Sequence, residues 1–198
     1  MNLRWVYIMV GLAVVAVLGG CQGTSALRLM NLPTRDLVTV APVVNATGLS
    51  LPLPPDTLMA AIRQEFGVSD EAPVTVPDVL HNRFVLAFQT HGYQVTQTDK
   101  TPQVFSDRSM DIVKVVEEAR AAGFKGVIVL PTLRRWDDSK WISLRAVFVS
   151  IDITLARVSD GKILDAGALR DQAVPVGAAT TILQATDDAA RWLSELLF

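Results

Sequence analysis

The stretch Ala146-Val-Phe-Val-Ser-Ile-Asp-Ile-Thr-Leu155 decides the fold, because its residues alternate in character. All odd positions carry branched apolar side chains, whereas the even positions include Ser150, Asp152 and Thr154. A period of two is typical of an antiparallel strand with one face on the core. The pattern therefore predicts a strand over residues 141–158 with one buried face.

Further strands follow and precede this stretch. Ser159-Asp-Gly-Lys162 predicts a hairpin, because Asp-Gly accepts the positive backbone dihedral angles of a tight turn. The chain then returns as a partner strand over residues 163–174. Upstream, Gly126-Val-Ile-Val-Leu-Pro-Thr-Leu133 is apolar enough for a central strand that is covered on both faces. These three strands are expected to form a meander.

The first half of the domain alternates strands with helices. Leu37-Val-Thr-Val-Ala-Pro-Val-Val44 predicts another central strand, in which Pro42 marks a bulge or a strand end. A strand is also expected over residues 93–96. The predicted order is strand, helix, strand, helix, three strands, helix, which is an α/β fold with a mixed sheet. The helices, predicted from apolar residues at three- and four-residue spacing, span residues 77–91, 109–122 and 180–197.

Residues 37–198 suit a single compact domain. Within it, residues 49–75 are rich in proline, with Pro52, Pro54 and Pro55 interleaved with leucines. This segment is either an insertion that packs on its own domain or a flap that binds a partner. The sequence is compatible with both interpretations.

The N-terminus carries a secretion signal. Residues 5–20 form an uncharged run of 16 residues, short of the roughly 20 that a membrane-spanning helix needs. The run ends in Leu18-Gly-Gly-Cys21, which resembles the lipobox read by signal peptidase II. We therefore expect residues 1–20 to be a lipoprotein signal peptide, Cys21 to be the lipidated first residue of the mature chain, and residues 21–36 to be a tether.

The resemblance to lipoproteins implies two kinds of lipid on Cys21, a thioether-linked diacylglycerol and an N-terminal acyl chain such as palmitate. Two or more chains anchor a protein stably in a membrane. In many Gram-negative lipoproteins an aspartate after the cysteine is an inner-membrane retention signal, and Gln22 stands there instead. The expected location is the outer membrane, with the domain facing the periplasm or, alternatively, exposed at the cell surface.

Composition excludes several classes of function. The chain has one cysteine, which excludes an internal disulfide and a multi-cysteine metal site. The formal net charge of -2 leaves no broad basic surface for nucleic acid. We expect no nucleic-acid partner, no metal and no cofactor.

No catalytic motif stands out. His81 and His91 are the only histidines, and at a spacing of ten on one helix they point about 80° apart and cannot share a metal. We expect His81 on the surface and His91 partly packed. The sequence contains no Gly-x-Ser-x-Gly elbow and no glycine-rich phosphate loop. The chain is therefore predicted not to be an enzyme, and a periplasmic hydrolase that uses distant carboxylates is a remote alternative.

The connection Arg134-Arg-Trp-Asp-Asp-Ser-Lys-Trp141 is the predicted partner-binding edge. Arg134, Arg135, Trp136 and Trp141 are of residue types enriched at binding hot spots. A hairpin over the polar tip would place Trp136 and Trp141 nearly opposite each other. The alternative is a cross-strand aromatic pair that only stabilises the hairpin.

Three stretches resemble a family of bacterial lipoproteins. They are Val40-Ala-Pro-Val-Val-Asn-Ala-Thr-Gly48, Ala121-Ala-Gly-Phe-Lys-Gly-Val-Ile-Val-Leu130 and Arg157-Val-Ser-Asp-Gly-Lys-Ile-Leu-Asp-Ala-Gly167. Through them the chain is similar to lipoproteins of unknown function related to a neisserial surface antigen. It is more distantly similar to the curli-secretion, penicillin-binding-protein activator and Pel polysaccharide-export lipoproteins. The resemblance covers most of residues 37–198.

This resemblance implies a non-enzymatic, lipid-anchored accessory or scaffold protein of a cell-envelope assembly or export system. Such a protein acts by binding a periplasmic or envelope protein. The alternative is a homo-oligomer, as a subunit of an outer-membrane export ring. A ring needs a segment able to enter the membrane, and the charges of Asp152, Arg157, Asp165 and Arg170 make the 141–174 hairpin a poor lipid-facing ribbon.

Overall fold

The structure is a computed structural model that describes Leu32, residues 36–54, 74–96 and 111–198, and Phe105. The predicted signal peptide, Cys21 and most of the tether lie outside the described residues, and so do residues 55–73 of the expected insertion. No helix in the described part is both long enough and apolar enough to cross a membrane.

The described residues form six strands and four helices, and the sheet is mixed. In chain order the elements are β1 (Leu37–Val40), β2 (Val44–Asn45), α1 (Val76–Thr90), β3 (Gln94–Val95), α2 (Ile112–Ala121), β4 (Val127–Asp137), α3 (Trp141–Leu144), β5 (Ala146–Arg157), β6 (Ile163–Pro175) and α4 (Ile182–Glu195). The sheet order is β3-β1-β4-β5-β6, with β2 also paired to β4. Pairs among β1, β2, β3 and β4 are parallel, and the pairs β4–β5 and β5–β6 are antiparallel. This confirms the predicted α/β fold with a mixed sheet.

Helices cover both faces of the sheet. α1 and α4 pack against each other and cover one face, where they enclose the larger core. α2 covers the other face over a smaller cluster that includes Ile128, Leu130 and Val158. Side chains cap the first turns of these helices, which satisfies backbone N–H groups that have no partner within a helix. The capping residues are Thr75 with Asp78 for α1, Asp111 for α2 and Thr181 for α4.

Strand β5 has the predicted alternation. Its odd positions from Val147 to Leu155 are all 0% exposed and belong to the larger core. Phe148, Asp152 and Thr154, on the opposite face, are only partly buried. Fully burying one aliphatic side chain contributes about 1.5–3 kcal/mol, so this single face is a major source of stability.

Pro42 divides the predicted first strand into β1 and β2, and both parts pair with β4. Proline has no backbone N–H to donate, so the hydrogen-bond ladder stops at this position. The predicted strand end at Pro42 is confirmed. Val38, Thr39 and Val40 are at most 1% exposed, as predicted for a central strand covered on both faces.

The predicted start of β5 is wrong. Residues Trp141–Leu144 form the short helix α3, and β5 begins only at Ala146. The N–H of Leu144 donates to the carbonyl of Lys140 at 2.8 Å, which closes a helical turn where a strand was expected. Arg145 then adopts a left-handed conformation with φ of 51°, which ends the helix and turns the chain into β5.

The hairpin between β5 and β6 is wider than the predicted tight turn. The Arg157 N–H donates to the carbonyl of Lys162 at 2.9 Å, so the four residues 158–161 form the loop. Only Gly161 among them has a positive φ, of 73°. Asp160 stabilises the loop by accepting a hydrogen bond from the Lys162 N–H at 3.0 Å.

The sheet has two distinguishable ends. β1 and β4 start at the same end, since Val38 pairs with Val127. Leu32 lies at this end too, because its carbonyl accepts a hydrogen bond at 3.0 Å from the hydroxyl of Tyr93, just before β3. β4 then extends for 11 residues, roughly 36 Å at 3.3 Å per residue, and α3 follows at its far end. We call these the proximal end and the distal end.

Candidate interaction surface

Arg134 and Arg135 lie where β4 and β6 both carry a bulge. The register between β4 and β5 shifts at Arg134. The register between β5 and β6 shifts beside Ser150, where Arg170 and Asp171 together oppose this single residue of β5. A bulge re-aims side chains by adding one unpaired residue to a strand. Together the two bulges bring charged residues of three strands onto the sheet face opposite the larger core.

These charged residues pair with one another. Arg134 Nε lies 2.8 Å from an Asp152 oxygen, and Arg170 contacts the other oxygen of the same carboxylate. Arg135 joins Asp171 at 2.7 Å and also Asp137 at 3.0 Å. The charges are therefore balanced within the surface. We call this set the charged ladder, and it consists of Arg134, Arg135, Asp137, Asp152, Arg170 and Asp171.

The charged ladder keeps its carboxylates ionised. Partial burial alone would raise the pKa of Asp152, but hydrogen bonds from Arg134 and Arg170 outweigh it and hold the pKa below its ordinary value. The hydrogen bond from Arg135 likewise lowers the pKa of Asp171. At neutral pH the ladder is thus a set of fixed ion pairs.

Trp136 does not lie on this surface. It is 5% exposed and belongs to the larger core, and its partner across the β4–β5 pair is Val149. The predicted placement of Trp136 opposite Trp141 is therefore wrong. The bulge at Arg134 is the physical reason why Trp136 faces inward, because the extra residue shifts the phase of the side chains that follow it.

Trp141 begins the short helix α3 at the distal end. Its ring is partly buried against the larger core. The apolar residues that follow face solvent, since Ile142 is 69% exposed and Leu144 is 54% exposed. We call residues 139–145 the distal tip.

Hydrogen bonds fix the shape of the distal tip. Arg145 Nη1 donates to the carbonyl of Ala179 at 2.8 Å, and the Val176 N–H donates to the carbonyl of Arg145 at 3.0 Å. The Ser139 hydroxyl donates to Asp137 at 2.7 Å. The tip is thus tied on one side to β4 and on the other to the loop before α4.

Sequence reasoning missed Ile142 and Leu144. Both occupy even positions, which in the predicted strand would fall on the polar face with Ser150 and Asp152. Two large apolar residues out of phase with the alternation were the available signal that the strand does not extend to residue 141.

The ends of the 49–75 segment meet near the start of α1. The Leu53 N–H donates to the carbonyl of Val74 at 2.8 Å, and the Val76 N–H donates to the carbonyl of Leu51 at 3.0 Å. Leu53 is 6% exposed, whereas Leu49 is 60% exposed. This short antiparallel stem anchors the segment to the domain. The two predicted alternatives, a packed insertion and a binding flap, concern residues 55–73, which lie outside the described part.

His81 is more buried than expected, whereas His91 is partly packed near the end of α1, as expected. His81 is half-buried, with Nδ1 3.2 Å from the carbonyl oxygen of Ala41, and burial lowers its pKa. The ring of His91 stacks on Phe198 with centroids 4.0 Å apart. Among the described residues no group of three or more potential ligands could hold a metal ion.

The class that these observations define is a mixed α/β domain with a charge-balanced sheet face and an apolar distal tip. No protein-family model and no curated protein matches the chain. Among solved structures it is similar to the PelC dodecamer from Paraburkholderia phytofirmans, at 14% identity over 85% of this chain and 92% of that chain, with a TM-score of 0.42.

Two further solved structures are similar over smaller shares of this chain. One is the LpoB C-terminal domain from Salmonella enterica, at 18% identity over 74% of this chain and 87% of that chain, with a TM-score of 0.33. The other is lipoprotein GNA1162 from Neisseria meningitidis, at 13% identity over 68% and 80%, with a TM-score of 0.36. The Pel, penicillin-binding-protein activator and neisserial groups that the sequence resembles are thus represented among the similar structures. At such identities and TM-scores these matches carry no argument about function.

Proposed function

We propose that this protein is a lipid-anchored accessory protein of the cell envelope that acts by binding another protein through its distal tip. The observation that carries the proposal is the exposure of Ile142 and Leu144 on a rigid turn at the end of the sheet opposite Leu32. In this proposal Cys21 carries the lipid, the outer membrane holds it, and the folded domain faces the periplasm. The proposal assigns no catalytic role.

The construction of the distal tip suits binding. Ordering side chains and loops at an interface costs free energy, so a turn that is already fixed by hydrogen bonds binds with a smaller penalty. Trp141 packs against the larger core at the start of α3, and Arg135 pairs with Asp137, which also accepts a hydrogen bond from Ser139 of the tip. Apolar anchors surrounded by polar groups are the usual arrangement of a binding hot spot.

The position of the tip supports a partner that lies away from the anchoring membrane. Leu32 lies eleven positions after Cys21, and at about 3.3–3.6 Å per residue this length of chain reaches at most about 40 Å. The tip lies on the order of 36 Å further, at the other end of β4. A domain that stands upright on its anchor therefore presents Ile142 and Leu144 to a partner away from the anchoring membrane.

Site-specific photocrosslinking in cells tests the proposal. A benzophenone amino acid replaces Ile142 in the full-length chain, and Val113 on α2, which is 60% exposed, is the matched control position. We expect a discrete adduct with one envelope protein from position 142 and none from position 113. Leu144→Glu in the same chain should abolish that adduct.

Two results would contradict this assignment. Identical adducts from positions 142 and 113 would show that the tip has no special role. An adduct with twice the mass of the chain would show that the tip contacts a second copy, which supports the export-ring alternative.

A further inference from the structure

Strand β6 ends the sheet, and among the described residues no strand pairs with its outer side. It is 13 residues long, more than twice the length of an average strand. An unpaired strand edge offers a row of backbone donors and acceptors that only another extended chain can match.

Two backbone groups of this edge are bonded within β6 itself. The Ala166 N–H donates to the carboxylate of Asp165 at 2.8 Å, and the carbonyl of Ala173 accepts from the side-chain amide of Gln172 at 3.1 Å. Both alanines are exposed. The Arg157–Lys162 bond turns Arg157 toward β6, so Thr154, three residues earlier on β5, faces β4. Ala166 is the register partner of Thr154, and we therefore assign the Ala166 N–H to the open side of β6. Neighbouring side chains therefore cover the edge only locally.

A groove lies beside the distal part of this edge. It has a volume of about 450 Å³ and runs between Pro175 at the end of β6, Gly177 in the next loop, and one side of α4. That side carries Asp188, Arg191, Trp192 and Glu195, and Asp188, Trp192 and Glu195 are spaced four and three residues apart. It lies next to the side that faces α1, because the preceding residue Asp187 pairs with Arg83 of α1 and Glu195 lies 3.8 Å from His91 at the end of α1.

We propose that the β6 edge and this groove form a binding site for an extended segment of a partner polypeptide, which adds to the sheet as a further strand. Alternate side chains of such a segment point toward α4. One of them would be apolar and would pack on Trp192. The next on the same face would be basic, because Asp188 is already paired with Arg191, whereas within the described residues Glu195 has a single side-chain ion-pair partner, His91, at the longer distance of 3.8 Å.

The size of the groove favours a bare strand over a second copy of the whole domain. Two β6 strands paired antiparallel about a two-fold axis would carry both α4 helices on the same face of the joined sheet. A space of about 450 Å³ accommodates a few side chains and is too small for a helix about 10 Å across. This inference does not depend on the lipid on Cys21 or on the distal tip.

A capped synthetic peptide tests the site on the mature full-length protein in detergent micelles. The probe has the sequence Thr-Val-Thr-Leu-Thr-Lys-Thr-Val-Thr, which places leucine and lysine on one face. The matched control peptide has N-methyl groups on alternate residues, which block strand pairing and preserve composition. Binding is measured by fluorescence anisotropy, and hydrogen exchange reports the protection of residues 163–175.

Variants should change the affinity in opposite directions. Asp165→Ala frees the Ala166 N–H and should tighten binding about threefold or more. Trp192→Ala and Ala166→Pro should each weaken it at least tenfold, as judged on protein whose melting temperature shows that it is folded. Trp141→Ala, which changes the distal tip, should leave peptide affinity unchanged.

The inference is overturned by equal affinity for the probe and its N-methylated form, or by no binding at millimolar peptide. It is also overturned if Asp165→Ala weakens binding. If sedimentation shows a dimer that the peptide dissociates, the natural occupant of the edge is a second copy of this chain, and the partner-segment assignment fails. Crosslinking from position 142 can succeed or fail independently of each of these results.

Discussion

Gly126 shows how a single residue positions two strands. It precedes β4, has φ of 81°, and a Cβ atom added there would lie 2.0 Å from the carbonyl oxygen of Leu37. The missing side chain is thus what allows the start of β4 to approach the start of β1. Gly161 also has a positive φ, of 73°, but the nearest atom to its added Cβ is a methyl group of Val116 at 3.9 Å.

This difference separates the effects of two alanine substitutions. Gly161→Ala should cost only the strain of a left-handed backbone, about 1 kcal/mol. Gly126→Ala adds a collision with backbone atoms and should lower the free energy of unfolding by about 3 kcal/mol or more. Urea denaturation of both variants checks this, and equal losses of stability would show that β1 moves freely to accept the added atom.

Asp152 should make stability depend on acid pH. Its pKa in the folded protein lies below the ordinary value of about 3.9, so its ion pairs contribute fully above that pH and are lost as the pH falls through the folded pKa. We expect Asp152→Asn to be less stable than the wild type at pH 7, and to lose less stability below pH 4. Denaturation curves at several pH values measure this. Arg134→Gln is the control, and the loss of its stability on acidification should be intermediate between those of the wild type and Asp152→Asn. Parallel pH profiles for wild type and Asp152→Asn would contradict the assignment.

At the scale of elements, the sequence predicted the features that are determined within a single strand or helix. The alternation from Val147 to Leu155 and the break at Pro42 follow from local chemistry and are confirmed. The bulges at Arg134 and Arg170 were not predictable, because they exist only in the register between neighbouring strands. The register at Arg134 put Trp136 in the core, and the helical turn of α3 left Ile142 exposed, so the predicted site was only partly on the surface.

The β4–β5 connection therefore predicts different results for its two tryptophans. Trp136→Ala removes a buried ring and should lower the free energy of unfolding by about 3–5 kcal/mol. Trp141 is only partly buried, so Trp141→Ala should cost clearly less and should reduce crosslinking from position 142 in protein that remains folded. Thermal melts read alongside the adduct yield separate these effects. Similar melting temperatures for both variants would return Trp136 to the set of candidate binding residues.

At the scale of the whole molecule, the order of elements was predictable and the placement of surfaces was not. The sequence indicates a mixed α/β domain behind a tether, but only the parallel pairing of β1 with β4 shows that Leu32 and the distal tip lie at opposite ends. The open edge of β6 likewise follows from sheet order rather than from any motif. Surfaces of this kind depend on which elements become neighbours, which local sequence patterns do not encode.

The proposed lipid anchor on Cys21 would orient the two ends of the sheet relative to the membrane, and Cys21→Ala tests it. Lipidation of the thiol precedes cleavage at a lipobox, so we expect the variant to accumulate as an unprocessed precursor in the inner membrane. Its domain should fold normally, because Cys21 lies outside residues 37–198, and the adduct from position 142 should disappear when the tip no longer reaches its partner. Gln22→Asp is the matched control, since it should be cleaved and lipidated yet retained in the inner membrane. Membrane fractionation with metabolic labelling by radioactive palmitate distinguishes these states, and efficient cleavage with outer-membrane fractionation of Cys21→Ala would refute the anchor.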